Sequence, residues 1–373
     1  MGLRKRYGGN MEKRIGIINH WMVNNYGALL LAYALERKLR ELGYNVETIS
    51  WLPDEVKKPW KLSMIKKTGL IHYLLRLGYF SVFVLPRERS FSHFRSLMST
   101  SKEKYSDTTL PNISQKYDKI IIGGDQLWNC KINYFNINNF LPFIHERNRK
   151  VVYAASLAQD EMRKGFREEF RQLAMGFGYI TTRERRGKEI IEEITGLSAP
   201  RVADPAFLLT ADDWAELAIE PKEKEKYIFV YQVQYDAVVT QFAQKIAKEK
   251  GLKVIYCPFP IKKQISCVRK PYLTPEEWLG YIKNAEYIFT DAFHGLVFSI
   301  IFNKQFAVEI SEYGKDTHSR ITNLLELLGL EDRLFSENHY FNIDNVIDYE
   351  MINNYIIKDR EQSIKHINMM LQI

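Results

Sequence analysis

The chain predicts an α/β protein made of two Rossmann-like halves facing each other across a cleft, and three stretches carry that prediction. Arg14–Ile18 is a short apolar run, Asn19–Gly27 (NHWMVNNYG) a polar and aromatic turn, Ala28–Leu42 apolar at helical spacing, and Val46–Trp51 a second strand. Together they form a β–α–β opening. Far downstream, Ala285–Thr290 reads as a buried strand, Asp291–Gly295 as a tight polar turn, and the apolar run through Phe302 as a helix. Between the two, Asp204-Pro205 and the charged, Pro221-containing stretch 209–225 interrupt the pattern, and the apolar strand Tyr227–Val233 then opens a second sheet.

Taken in order, residues 1–12 are expected to be a loose basic leader, without the apolar segment of a secretory signal. The first half spans 13–208. Its opening turn lacks Gly-x-Gly-x-x-Gly, so no dinucleotide site is indicated. Asn24, Asn25 and Tyr26 in that turn offer amides and a hydroxyl to a sugar or an anion, and the Asn pair equally suits a helix cap. Residues 57–101 form a basic, aromatic insert. Its apolar part, Gly69–Leu85, is too short and too charged (His72, Arg76) to cross a membrane. Lys57, Lys58, Lys61, Lys66 and Lys67 on one side and Arg87, Arg89 and Arg95 on the other would suit an interfacial helix. The favoured alternative is a helical excursion packed on its own domain.

Asp118–Ile122 is a buried strand, and Gly123-Gly124 lets the backbone turn sharply. Asp125, Gln126, Trp128 and Asn129 then offer acceptors, donors and an aromatic face suited to a sugar ring. The competing reading is a capped turn with a half-buried Trp. Lys150–Ala155 is a strand followed by Ser156, placed to donate to an anion, and a helix is expected over about 161–175. Gly178–Glu184 is a short strand reaching Arg183, whose planar fork can hold a carboxylate or phosphate bidentately.

The second half spans 209–335, with a helix over Ala237–Lys250, a strand Lys253–Cys257, a capped helix start at Thr274-Pro275-Glu276-Glu277 and a last strand Lys304–Glu309. Ser319-Arg320 opens a helix that Gly329 stops, and Arg320 is a second anion-binding candidate. Residues 336–373 are expected to be a helical tail. No internal repeat is visible.

A net charge of +8 favours an acidic partner. Nucleic acid ranks last, because there is no zinc-finger spacing, aromatic RNA-binding signature or long basic tail. Cys130, Cys257 and Cys267 are scattered, which argues for a reducing, cytoplasmic setting and against a disulfide framework or cysteine metal site. No phosphate loop, H-E-x-x-H or G-x-S-x-G motif is present. What remains is His294 at a strand-to-helix switch, next to free N–H groups and a helix N-terminus, with arginines and polar turns. That set suits transfer to a carbohydrate hydroxyl from an anionic donor.

The segments NNYGALLLAYAL, IIIGGDQLWN, VYAAS, TTRE, VADPAFLL and TDAFHGLVFSIIFNKQF occur in order from about Ile15 to Leu330, and together they resemble the polysaccharide pyruvyl transferase family. Ala292 stands where a Ser commonly precedes the Phe-His pair. The resemblance implies a fold like the GT-B glycosyltransferases, phosphoenolpyruvate as donor and co-substrate, no cofactor or metal, and a pyruvate ketal on a sugar as product. The acceptor would be a sugar or lipid-linked oligosaccharide; a lipid-linked one would suit the basic insert at 57–101 and peripheral contact at the inner face of the membrane. On this reading His294 is the general acid/base, and Arg183, Arg320, Gly295 and Ser156 hold the donor. Asn24, Asn25, Tyr26, Asp125, Gln126, Trp128 and Asn129 hold the acceptor, supported by Asp291 and Phe293. The alternatives are a GT-B-like glycosyltransferase using a nucleotide-sugar, and a non-catalytic carbohydrate-binding protein.

Overall fold

The computed structural model describes residues 13–54, 74, 78, 80–131, 135–233, 238–258, 267–310, 319–336 and 343–373. The expected leader, the lysines of the insert at positions 57–67 and the start of the tail lie outside these residues.

Two six-stranded sheets form the frame. The first contains β1 (Arg14–Ile18), β2 (Asn45–Trp51), β3 (Thr100–Tyr105), β4 (Lys119–Gly123), β5 (Lys150–Ala155) and β6 (Tyr179–Thr182) in the order β3-β2-β1-β4-β5-β6. The second contains β7 (Tyr227–Gln232), β8 (Lys253–Pro258), β9 (Val268–Arg269), β10 (Tyr287–Thr290), β11 (Gln305–Glu309) and β12 (Leu334–Phe335) in the order β12-β11-β10-β7-β8-β9. Every registered pair in both sheets is parallel.

Counted from each half's own first strand, the two orders are the same 3-2-1-4-5-6. In this doubly wound arrangement the chain reverses direction between strands 1 and 4 and leaves a crevice at their carboxyl ends. The duplication is one of topology. It needs only apolar strands and amphipathic crossovers, so no sequence repeat betrays it. The central strands β4, β5 and β7 are buried at every position, as strands covered on both faces must be.

Most expected elements are present, with shifted ends. The helix expected over 161–175 is a 3-10 turn at Lys164–Phe166 followed by an α-helix at Arg167–Ala174. The helix Pro275–Asn284 begins with a capping box between Thr274 and Glu277, as the sequence suggests.

A seam of aromatic side chains joins the halves. Tyr26, in the first turn of the helix Tyr26–Glu41, stacks on Trp278 at 5.2 Å and meets Tyr231 edge-on at 5.7 Å. Its hydroxyl donates to the Leu273 carbonyl at 2.8 Å. Trp214 and Trp278 both pack edge-on against Phe298. Such pairs contribute roughly 0.5–1.5 kcal/mol each beyond their buried area.

The helix Leu85–Ser96 inserts Phe91 and Phe94 into this seam. Arg87 reaches the Asn24 and Pro271 carbonyls, and Arg95 pairs with Glu88, Asn24 and the Met22 carbonyl. These two arginines therefore point inward, which corrects the interfacial-helix expectation for this part of the insert. Among the described residues no helix is long and apolar enough to cross a membrane.

The C-terminal helix Tyr349–Gln372 returns to the first sheet, where Ile367, Met370 and Leu371 join the core of Ile15, Ile17, Ile121 and Val151. Arg360 and Ser363 tie it to the chain at Ala203, Phe207 and Leu209.

Candidate functional site

The two crevices open toward each other, and the ends of β1, β4, β6 and β10 bring charged side chains into one cluster. After β4, Gly124 and Asp125 both adopt left-handed backbone, φ +66° and +53°. Gly124 is required there, since a Cβ would lie 2.5 Å from Leu31. Asp125 carries real strain, of the kind that concentrates at functional sites. Its carboxylate faces three partners: His20 Nδ1 after β1 at 3.9 Å, Arg183 Nη2 after β6 at 3.8 Å, and Arg320 Nη1 of the second half at 3.9 Å. Burial pushes the Asp125 carboxyl up, but His20, Arg183 and His294 outweigh it and hold it well below the usual carboxylate range.

Arg183 is the most enclosed cation. Its Nη1 donates to Asp204 Oδ2 at 2.5 Å and its Nε to Glu184 Oε1 at 3.3 Å. Burial alone would lower its pKa, but Asp204, Glu184 and Asp125 raise it. Asp204 is buried too, yet Arg183 and His294 bring its carboxyl down to about 2. The Phe293 ring lies between the arginines, with the Arg183 guanidinium carbon 4.8 Å from its centroid and that of Arg320 5.2 Å away. Turned so that its oxygen faces Arg320, the Gln126 amide accepts from Nη1 at 3.0 Å.

His294 sits in the first turn of the helix Phe293–Ile301, largely buried, with Nε2 3.7 Å from Asp204 Oδ2. That nitrogen makes no hydrogen bond. The other face of the imidazole presses on Gly27 of the first half, where a Cβ would lie 2.0 Å from Nδ1. Gly27 therefore sets where the imidazole stands. The cluster holds three carboxylates (Asp125, Glu184, Asp204) against two guanidiniums, with the imidazoles of His20 and His294 beside them.

His294, Phe293, Arg183, Arg320, Asp125 and Gln126 are thus brought together. Several other sequence candidates are not. Ser156 is fully buried and donates to Glu184, so its hydroxyl holds that carboxylate in place and does not face a ligand. Trp128 stacks on Phe140 and donates to the Asn139 carbonyl, and the Asn129 side-chain oxygen accepts from the Lys131 amide. Both turn into the core. Tyr26 belongs to the aromatic seam, Asn25 caps the helix by accepting from Ala28, and Asn24 pairs with Glu88 and Arg95. Asp291 accepts from the Val233 amide and so ties the end of β10 to the end of β7. Gly295 allows close approach to Thr290, since a Cβ would fall 2.3 Å from its hydroxyl.

Sequence reasoning missed His20, Glu184 and Gly27 and treated Asp204 only as a turn signal. The chain hints at two of these, because Glu184 directly follows Arg183 and His20 follows a strand.

A cavity of about 330 Å3 adjoins the cluster and is lined by Arg183, Asp204, Phe293 and Arg320 together with Arg185 and Arg201. The His294 Nε2 lies 3.7 Å from Oδ2 of Asp204 in that lining.

The fold is GT-B-like, with the charged cluster between its two Rossmann-like halves. At 11% identity the UDP-GlcNAc 2-epimerase from Methanocaldococcus jannaschii superposes with a TM-score of 0.50, covering 96% of this chain and 92% of that one. An α-glucosyltransferase solved with UDP and a 13-mer DNA containing an HMU base gives 0.50 at 10% identity, covering 95% and 94%. Both likenesses concern the fold. No curated protein matches the chain. The sequence profile of the polysaccharide pyruvyl transferase family matches residues 25–309. The chain belongs to that family and is a transferase.

Proposed function

We propose that the enzyme moves the pyruvyl group of phosphoenolpyruvate onto two hydroxyls of a sugar, closing a ketal, during assembly of a cell-surface or extracellular polysaccharide. The observation that carries this reading is the pair of guanidiniums, one from each half, over the single ring of Phe293 beside His294. Planar forks suit the carboxylate and phosphate of such a donor, and a cavity of this size suits a small anion beside a sugar.

His294 gives a proton to the donor's methylene carbon, leaving a centre with oxocarbenium character that one sugar hydroxyl attacks. The second hydroxyl then displaces phosphate. One hydroxyl proton ends in the new methyl group and the other leaves with the phosphate, so the products are ketal and inorganic phosphate. An imidazole can both give and take these protons. Arg183 and Arg320 stabilise the leaving phosphate, which makes a resident metal unnecessary. The acceptor is a sugar or a lipid-linked oligosaccharide, which would place the enzyme in the cytoplasm at the inner face of the membrane.

The test is phosphate release from phosphoenolpyruvate over galactose-, mannose- and glucosamine-type acceptors. Release should depend on acceptor and fall about 10²–10⁴-fold in His294→Ala. Near-normal release in His294→Ala would remove its acid/base role. Thermal protection by nucleotide-sugars and none by phosphoenolpyruvate would overturn the donor.

A further inference from the structure

From Arg320 the cavity lining follows the helix Ser319–Leu328 through Asn323, Leu324, Glu326, Leu327 and Leu328, and the returning C-terminal helix adds Tyr355, Ile356 and Asp359; these two helices make what is here its outer part. Arg201 braces this wall from the first half. Its Nη2 donates to the Tyr355 hydroxyl at 2.9 Å, and both terminal nitrogens pair with the Asp359 carboxylate. Tyr355, a residue of the lining, is therefore anchored at its hydroxyl.

The two ends of the cavity differ in chemistry. The inner end is a dense cluster of charge around one aromatic ring. The outer end combines a fixed tyrosine, aliphatic side chains, an amide, the paired carboxylate of Asp359 and the carboxylate of Glu326. A small trianion gains little from leucine and isoleucine. A pyranose presents C–H faces that pack on aromatic and aliphatic surface, and hydroxyls at its edge that bond planar polar groups. The continuity of the space also matters, because the acceptor hydroxyls must reach the donor bound at the arginines.

Resting on the pyruvyl-transfer reading, we infer that this outer part of the cavity is the acceptor-saccharide subsite, with Tyr355 of the C-terminal helix as its stacking platform and Asn323 as a hydroxyl-binding group. The C-terminal helix is then part of the binding machinery. The acceptor moves away from the Asn24–Tyr26 turn and from Trp128 and Asn129, whose side chains are spent on capping and packing.

The experiment compares wild type, Tyr355→Ala, Tyr355→Phe and Asn323→Ala in binding to an array of galactose-, mannose- and N-acetylglucosamine-terminated oligosaccharides. Thermal protection by phosphoenolpyruvate is measured on the same proteins. Saccharide binding should fall about tenfold or more in Tyr355→Ala and Asn323→Ala. Tyr355→Phe, which keeps the ring, should retain most of it, and protection by phosphoenolpyruvate should persist in all four. Wild-type binding to no saccharide, equal binding by wild type and Tyr355→Ala, or joint loss of saccharide binding and phosphoenolpyruvate protection would each overturn the subsite. Saccharide binding that depends on Tyr355 in a protein that phosphoenolpyruvate does not protect would uphold the subsite and sink the donor assignment instead.

Discussion

Arg183 and Arg320 share one aromatic ring yet are held in different ways. Arg183 follows β6 of the first sheet, its side chain 2% exposed, with its fork on Asp204 and Glu184 and a longer pair to Asp125. Arg320 begins a helix of the second half, is 12% exposed, and approaches Asp125 at 3.9 Å across the gap between halves, beside the Gln126 amide. Arg183 bonds carboxylates of its own half, whereas Arg320 meets the Gln126 amide and Asp125 across the gap between halves. The difference divides the labour. Arg183 is a fixed positive centre that also organises three carboxylates, and Arg320, the more exposed of the two, is the cation the second half brings to them.

Removing Arg183 should have the largest effect. Arg183→Ala leaves Asp204, Glu184 and Asp125 buried without their counter-charge, and breaking such a cluster typically costs about 3–5 kcal/mol. The denaturation midpoint should drop and transfer should vanish. A stable, inactive variant would mean that Arg183 serves the ligand alone. Gly27→Ala probes the partner that positions the imidazole. Alanine in a helix ordinarily stabilises by roughly 0.5–1 kcal/mol, but here the methyl would displace His294. Activity should fall about 10²-fold with the fold intact, and unchanged kinetics would show that the imidazole has room to yield.

Acid titration gives the third contrast. Asp204 has its carboxyl brought down to about 2, below its ordinary 3.8. Its contribution to stability is fully present above the ordinary value and is lost as pH falls through about 2. A gap of roughly two units corresponds to about 2 kcal/mol. Asp204→Asn should flatten the acid limb of the stability profile, and an unchanged limb would place the acid sensitivity elsewhere. The smallest effect is expected for Arg320→Lys. Stability should move by less than about 0.5 kcal/mol, while donor KM rises about tenfold, because an ammonium lacks the planar fork. A large stability loss would erase the distinction between the two arginines.

The sequence by itself determined the alternation of apolar strands and helically spaced crossovers and the capped helix start at Thr274. These follow from periodicity and turn chemistry, which act over a few residues. It also singled out His294, Phe293, Arg183, Arg320 and Asp125, because polar and charged residues directly after apolar strands fall at carboxyl ends, where doubly wound sheets gather their sites.

Only the tertiary structure decided which way the side chains of those turns face. Trp128 turns inward because Phe140, Phe170 and Phe177 wait for it, and Tyr26 because Trp278 does. Tyr26 and Trp278 lie on opposite halves of the chain, as do Gly27 and His294, and no local signal announces such pairs. The same holds for the C-terminal helix, which reads as a plain helical tail until Arg201 fixes Tyr355 and Asp359 on the cavity wall. Local pattern sets what each element is, whereas the close packing of elements distant in sequence sets what each side chain touches.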